Sequence, residues 1–218
     1  MMAEEIVKRV QDRGLATIPV YYNTYEVTRD VLDREVPGDF VECGVFAGVQ
    51  VGIMALAAAD HPALGSRLFH LFDSFEGIPM AGPRDKEQPG VGPLTKKGTG
   101  ELRSSGVSVC SREHVEDHLR SWGISEERLR WHEGWFQQTT KNWPKDTQIA
   151  LLRLDGDLYE STLVCLKNLY PALSSGGVCV VDDCNLSGCA KAVEDYFEGA
   201  PPKRTPVIGG AGCEWWIK

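Results

Sequence analysis

The sequence predicts an α/β fold built on a mostly parallel sheet with helices on both faces, and three observations support this prediction. Short apolar runs alternate with segments of helical periodicity, which is the order expected when helices connect parallel strands. Two runs, 149–154 and 177–181, are nearly continuous in apolar residues, as in strands buried on both faces. The tail from 205 to 218 has a Gly-Gly-Ala-Gly turn between two strand-like stretches, which predicts a hairpin with one antiparallel strand.

The individual elements follow from this pattern in chain order. A charged, amphipathic stretch of about 1–36 predicts a short helical cap ahead of the sheet. The predicted strands are 40–43, 68–73, 129–132, 149–154, 177–181 and the two of the terminal hairpin. The predicted helices are 49–59, one that begins after Ser111 and ends at Gly123, 159–173, and 188–197. Serine is a favoured N-cap and glycine a favoured stop, so the second helix has signals at both ends.

The segment 78–110 departs from the alternation. It is rich in glycine, proline and charged residues, and a loop this long in a compact domain is usually a lid, an insertion or a disordered stretch. We therefore expect one domain, 1–218, that carries a lid-like insertion at about 78–110.

Composition excludes several classes of function. The chain of 218 residues has 23 Lys+Arg against 31 Asp+Glu, a net charge of −8, which argues against nucleic acid as a partner. No run approaches the ~18 apolar residues of a membrane span, and the N-terminus lacks an apolar signal region. The seven cysteines predict reduced thiols in a cytoplasmic protein. Cys184 and Cys189 have no second pair or nearby histidine, which argues against zinc.

Residues just after each strand are the candidates for ligand binding, because open α/β sheets bind ligands at the carboxyl ends of their strands. After the first strand, Gly44 and Gly48 allow close approach of a ligand to the backbone, although the turn lacks the G-x-G-x-x-G pattern. After the second, Asp73 is suited to the hydroxyls of a ribose. After the third, 134–136 offers a flat wall for an aromatic base. The alternatives are an ordinary turn, a helix N-cap and core packing, respectively.

Acidic pairs end the fourth and fifth strands. Asp155 and Asp157 follow one strand, and Asp182 and Asp183 follow the other. Neighbouring strands lie ~4.8 Å apart, so these carboxylates should repel one another unless a cation intervenes. Arg153 is the basic residue beside them, and strand alternation places it on the opposite face from its neighbour Leu154.

A hard divalent cation such as Mg²⁺, Mn²⁺ or Ca²⁺ would resolve that repulsion. The alternative is that the acids are solvated separately. A metal beside a nucleoside-type pocket could lower the pKa of a substrate hydroxyl, and an aspartate could take its proton. The hydroxyl oxygen would then attack an electrophile that the cofactor presents.

Five runs of the sequence resemble the macrocin O-methyltransferase family. They are GDFVECGVFAG, LFDSFEGIP, GWFQQT, LLRLDGDLYEST and NLYPALSSGGVCVVDD. The family consists of enzymes that use S-adenosylmethionine and Mg²⁺ to methylate sugar or phenol hydroxyls of natural products. The resemblance implies a class I methyltransferase (Rossmann-like) sheet of seven strands, with the C-terminal strand antiparallel.

The resemblance also implies roles for individual residues. The implied cofactor-binding residues are Glu42, Gly44, Val45, Phe46, Gly48, Asp73, Ser74, Phe75, Gly134, Trp135, Phe136 and Asp155. The implied metal ligands are Asp155, Asp182 and Asp183, for Mg²⁺ or Mn²⁺. Asp155 is the implied catalytic base, with Asp157 as its rival.

The acceptor stays open at this point. Gln138 and Cys184 stand where the family commonly has an acid and a tyrosine, and such departures fall where acceptor choice would be set. Two other functions are alternatives: a nicotinamide-dependent oxidoreductase and a non-catalytic nucleoside-binding module. Trp215 and Trp216 could expose an aromatic face at a sheet edge, which would favour a homo-oligomer.

Overall fold

The computed structural model of the protein describes residues 1–86 and 102–218. The strands are β1 Asp39–Cys43, β2 Phe69–Asp73, β3 Leu129–Glu133, β4 Ile149–Leu154, β5 Leu173–Val181, β6 Thr205–Pro206 and β7 Glu214–Ile217. The helices are α1 Ala3–Val10, α2 Ile18–Asp33, α3 Val49–Ala58, α4 Arg112–Ser121, α5 Phe136–Thr139, α6 Tyr159–Leu169 and α7 Ser187–Tyr196. Among the helices in these ranges, none combines the length and the apolar character needed to cross a membrane.

The strands of the described ranges form one sheet in the order β3-β2-β1-β4-β5-β7-β6. The strands β1 to β5 pair in parallel, whereas β7 runs antiparallel to both β5 and β6. The order reverses between β1 and β4, so the loops after these strands diverge and leave a crevice at the carboxyl edge. The predicted α/β class, with its antiparallel C-terminal strand, is confirmed.

Two hydrophobic layers enclose the sheet. One contains α1 to α4, and the other contains α6 and α7. In β4 every residue is buried, with Leu151 packed in the first layer and Leu152 in the second. Alternate residues of a strand point to opposite faces, so a strand covered on both sides is apolar except where a buried polar residue has a partner. This packing explains the nearly continuous apolar run at 149–154, which Arg153 interrupts.

The boundary between α6 and β5 differs from the prediction. The helix predicted over 159–173 ends at Leu169, and the strand predicted from Gly177 already begins at Leu173. Pro171 lies between them in a short 3₁₀ turn, and proline has no backbone N–H with which to continue an α-helix. The apolar residues on both sides of the proline had concealed the change of element.

The expected aromatic face at a sheet edge is absent from the described part of the chain, and that prediction was wrong. β7 lies between β5 and β6 rather than at an edge. Trp216 is buried, and Trp215 is partly buried against the first layer. These tryptophans therefore give no support to self-association.

Both described ends of the predicted insertion lie against each other. The backbone N–H of Ile78 donates to the carbonyl of Val107 at 2.9 Å, and that of Ser105 donates to the carbonyl of Ile78 at 2.9 Å. The middle of the insertion, 87–101, lies outside the described residues. The division of the chain into one domain with a lid-like insertion stays a prediction.

A histidine pair, with His70 buried and His132 partly exposed, joins β2 and β3 and leads to a testable pH dependence. His70 Nδ1 lies 3.0 Å from His132 Nε2, and His70 Nε2 lies 3.1 Å from Asp39 Oδ2. Burial, with a smaller contribution from the neighbouring His70, lowers the pKa of His132 to about 4. Since histidine in an unfolded chain titrates near pH ~6.5, the unfolded state takes up the proton first.

We expect the contribution of His132 to the free energy of unfolding to decrease as the pH falls from about 6.5 through 4, because a proton that the unfolded chain binds more readily opposes folding. The contribution of His132 should be about 1–2 kcal/mol, reduced by its partial solvent exposure. Urea denaturation of the wild type and of His132→Gln at several pH values would measure it. Parallel pH profiles for the two proteins would contradict this assignment.

Candidate active site

The carboxyl ends of the central strands meet at one pocket. Beyond the strands, the backbone ladder continues from Gly44 N–H to the Phe72 carbonyl at 2.9 Å, and from Asp155 N–H to the Cys43 carbonyl at 2.8 Å. Asp182 N–H donates to the Leu154 carbonyl at 2.9 Å in the same way. The first residue after each strand is thereby held at the same edge of the sheet. A cavity of about 340 Å³ opens there.

Most of the predicted site residues line this cavity. They are Glu42, Gly44, Val45, Phe46, Asp73, Ser74, Trp135, Phe136, Asp155, Asp157, Asp182 and Asp183. Three other predicted site residues are not among the residues that line it. Gly48 is the N-cap residue of α3, Phe75 packs against Trp131, and Gly134 donates its backbone N–H to the Asp73 carbonyl.

The turn after β1 depends on glycine at position 44. Gly44 has φ +90°, and a Cβ atom at this position would lie 1.8 Å from the carbonyl oxygen of Asp155. Any other residue would therefore separate the ends of β1 and β4. The glycine brings the turn after β1 into contact with the first of the acidic residues.

Asp73 holds the same turn from the other side. Its Oδ2 accepts hydrogen bonds from the backbone N–H groups of Val45 at 2.7 Å and Phe46 at 3.0 Å, and its Oδ1 accepts one from Phe75 at 2.8 Å. Burial raises the pKa of Asp73, and these backbone donors oppose that effect. The carboxylate thus organises two strand ends as well as lining the pocket.

Three carboxylates converge at the acidic end of the pocket. Of the described residues, Asp155, Asp157 and Asp183 form the group whose oxygen atoms all lie within 4.8 Å of one another. The set implied by the family resemblance contained Asp182 where this group has Asp157. Hard oxygen ligands in this number suit Mg²⁺ or Mn²⁺.

Asp182 is engaged by Arg153 instead. The Arg153 guanidinium is 1% exposed and lies 3.0 Å from Asp182 Oδ2, 3.4 Å from Asp155 Oδ2 and 3.3 Å from Glu42 Oε1. Strand alternation alone did not predict that Arg153 would contact the acids on its own strand and on both neighbouring strands. Register explains its position, because β1 and β4 pair Glu42 with Arg153 directly, and opposite charges face each other across the strands.

One guanidinium does not neutralise this many acids. Burial raises the pKa of Glu42 to about 8 in spite of Arg153, and it raises that of Asp157 to about 6. Burial also raises the pKa of Asp155, and the Asp182 and Asp183 carboxylates raise it further. These raised pKa values show that the carboxylates oppose one another's ionisation, and a divalent cation bound among them would offset that repulsion.

Glu42 also has unused acceptors. Both of its carboxylate oxygens are buried, and neither makes a hydrogen bond with the described residues. A buried carboxylate without hydrogen bonds is costly, and the Arg153 guanidinium 3.3 Å from Oε1 offsets that cost only in part. Glu42 lines the cavity, so a ligand with a cationic donor group would satisfy it.

The N-terminal segment forms a wall that the sequence did not reveal. Ala16, Thr17 and Tyr21 line the cavity, as does Ala211 from the turn of the terminal hairpin. Thr17 Oγ1 donates to the carbonyl of Gly209 at 2.9 Å, so the two segments are joined. They are 192 residues apart, and no local pattern marks such a contact.

The family model described as Macrocin-O-methyltransferase (TylF) matches residues 21–204. The chain is 37% identical over 175 residues to demethyldecarbamoylnovobiocin O-methyltransferase of Streptomyces niveus. This alignment covers 80% of this chain and 63% of that protein. It is 35% identical over 190 residues to 8-demethyl-8-(2,3-dimethoxy-alpha-L-rhamnosyl)-tetracenomycin-C 4'-O-methyltransferase of Streptomyces olivaceus, which covers 85% and 68%. The chain thus spans less than two thirds of the length of the first relative.

Solved structures agree with this match. The O-methyltransferase NovP superposes with a TM-score of 0.74 at 32% identity, covering 92% of this chain and 80% of NovP. The calicheamicin methyltransferase CalS11 superposes with a TM-score of 0.71 at 20% identity, covering 99% and 90%, and so supports the fold alone. From the extent of the family match and the identity to its members, the chain belongs to the macrocin O-methyltransferase (TylF) family.

Proposed function

We propose that the protein is an S-adenosylmethionine-dependent O-methyltransferase that uses a divalent cation to activate a hydroxyl group of a small natural product. The observation that carries the proposal is the group formed by Asp155, Asp157 and Asp183 beside a pocket at the switch point of the sheet. Membership of the family supports the reaction class. The acidic group supports the metal.

The pocket residues fit the proposed methyl donor. Glu42 has two buried carboxylate oxygens without hydrogen bonds, which suit the ammonium group of a methionine moiety. Asp73 lies where a ribose would be held, and Trp135 and Phe136 provide aromatic surface for an adenine. When bound, S-adenosylmethionine supplies an electrophilic methyl group.

The acidic residues fit the proposed metal. Asp155, Asp157 and Asp183 would hold it, because they offer three hard oxygen atoms at close range. Mg²⁺ or Mn²⁺ bound there supplies a positive charge that lowers the pKa of a nearby hydroxyl. Asp155 and Asp157 are the candidates to accept the hydroxyl proton, since both line the pocket.

The relatives suggest the class of acceptor. One is named for a novobiocin precursor and another for a rhamnosyl tetracenomycin. A hydroxyl of a natural product, on a sugar or a phenol, is therefore the proposed acceptor.

Binding measurements would test this function against its alternatives. By calorimetry, we expect S-adenosylhomocysteine to bind and NADH not to bind. Methyl transfer to a panel of glycosylated and phenolic natural products should require Mg²⁺ and stop in EDTA. Binding of NADH alone would favour an oxidoreductase, and methyl transfer that persists in EDTA would refute the metal. Binding of S-adenosylhomocysteine without transfer to any member of the panel would favour a non-catalytic module.

A further inference from the structure

Asp85 caps the helix that follows the first pair of acids. Its Oδ1 accepts a hydrogen bond from the backbone N–H of Tyr159 at 2.8 Å, and its Oδ2 accepts one from the N–H of Gly82 at 2.8 Å. Tyr159 is the first residue of α6, and the N-cap position is Leu158, which has no side chain able to cap. A carboxylate at a helix N-terminus satisfies a free N–H group and interacts favourably with the helix dipole. Asp85 supplies this cap from 74 residues away.

The same carboxylate abuts the helix that follows the second pair of acids. A Cβ atom at Gly188, in the first turn of α7, would lie 2.0 Å from Asp85 Oδ1. Any side chain at position 188 would therefore collide with the Asp85 carboxylate. Asp85 thus lies between the starts of α6 and α7.

The loop between β4 and α6 contains the carboxylates Asp155 and Asp157, and the cap that Asp85 provides lies at its end. Asp157 has φ +56°, in the left-handed region that a residue with a side chain rarely adopts. Its backbone N–H donates to Asp183 Oδ2 at 3.1 Å, so the two acidic loops are in direct contact. One residue, Leu158, separates Asp157 from the capped N–H of Tyr159, and a shift of α6 would move this carboxylate.

We propose that Asp85 is a positioning residue for the metal site. By capping α6 and packing against the start of α7, it fixes the distance between Asp157 and Asp183 and so sets the affinity for the divalent cation. This inference rests on the proposed function, because the cation is the one proposed there. Asp85 does not belong to the group of converging carboxylates, and it acts through the two helices.

Five variants of the full chain would test the inference, with Mg²⁺ and Mn²⁺ affinity measured by calorimetry. Asp85→Ala removes the cap, and we expect affinity to fall by about 10-fold, the lower end of the range for residues that orient metal ligands. Asp85→Asn keeps an acceptor for Tyr159 N–H and should stay within about 3-fold of the wild type. Gly188→Ala should weaken affinity as Asp85→Ala does, because its methyl group displaces the carboxylate.

The matched control is Glu160→Ala. Glu160 is an exposed acid of the same helix turn, paired with Arg84 at 3.3 Å, and its removal should leave metal affinity unchanged. In the double variant Asp85→Ala, Gly188→Ala, the substitution at 188 should reduce metal affinity little further. The Asp85 carboxylate that its methyl group would displace is already absent. Thermal denaturation in EDTA should show both Asp85 variants folded at the temperature of the binding assay, with the lower midpoint for Asp85→Ala, which lacks the cap.

The outcomes separate this inference from the function on which it rests. If the wild type binds Mg²⁺ or Mn²⁺ and Asp85→Ala binds equally well, the positioning role is wrong and the proposed metal stands. If Asp85→Ala and Glu160→Ala weaken metal affinity equally, the loss comes from removing any negative charge near the site rather than from the cap, and the inference also fails. If the wild type binds neither ion, the metal and the inference fail together.

Discussion

Replacing Arg153 with methionine is expected to lower the free energy of unfolding by about 3–5 kcal/mol, the cost of removing one partner from a buried ion pair. The guanidinium is 1% exposed and faces Glu42, Asp155 and Asp182 within 3.4 Å. Methionine fills much of the same volume, so the loss should come from charge rather than from a cavity. Urea denaturation in EDTA, at a pH where the acids would ionise, measures the difference.

Two comparisons make this prediction specific. Arg120→Met removes an exposed arginine, 2.9 Å from Asp117, and should cost less than about 0.5 kcal/mol. Adding Glu42→Gln to Arg153→Met should recover part of the loss, because one of the carboxylates left without a partner is then neutral. A loss below about 1 kcal/mol for Arg153→Met would show that protonation of the acids, or water, replaces the arginine.

Replacing Asp155 with asparagine is expected to reduce methyl transfer by about 10²–10⁴-fold, the range for removal of a general base. Asparagine keeps the size of the side chain but does not accept the proton of the acceptor hydroxyl. Steady-state kinetics with saturating S-adenosylmethionine and Mg²⁺ would measure the change. Binding of S-adenosylhomocysteine, followed by calorimetry, should change far less.

Asp157→Asn distinguishes the two candidate bases. Because both residues are proposed metal ligands, each variant is compared with Mg²⁺ at a concentration that saturates it, and the variant that then loses more in kcat identifies the base. Asp117→Asn, an exposed acid on α4, serves as the control and should have wild-type rates. If Asp155→Asn kept more than about a tenth of the wild-type rate, Asp155 would have no role in proton transfer.

The fold could be predicted because its signals are local. The alternation of strand and helix patterns gave the class, and the continuous apolar run at 149–154 gave a strand covered on both faces. The acidic pairs were found for a related reason, since parallel strands bring their carboxyl ends to one edge. One boundary was predicted wrongly. Apolar residues on both sides of Pro171 resembled one continuous helix, whereas β5 begins at Leu173, inside the range predicted as helix.

The rest of the site depends on contacts that no local pattern specifies. The pairing of Glu42 with Arg153 follows from the register of β1 on β4, although an arginine inside an otherwise apolar strand is itself a signal of a buried partner. The cap that Asp85 provides joins residues 74 apart. Its partner Gly188 is an ordinary helical residue until the carboxylate beside it is known.

The hydrogen bond between Thr17 and Gly209 bears on how the pocket is made in the cell. A ribosome adds roughly 5–20 residues per second, so about 10–40 s pass between the synthesis of these two residues. During that time the early helices lack the opposite wall of the pocket, and β7 has yet to insert between β5 and β6. Until β7 has been synthesised and has paired with β5, a nascent chain therefore lacks this wall of the pocket and any ligand contact that the wall would make.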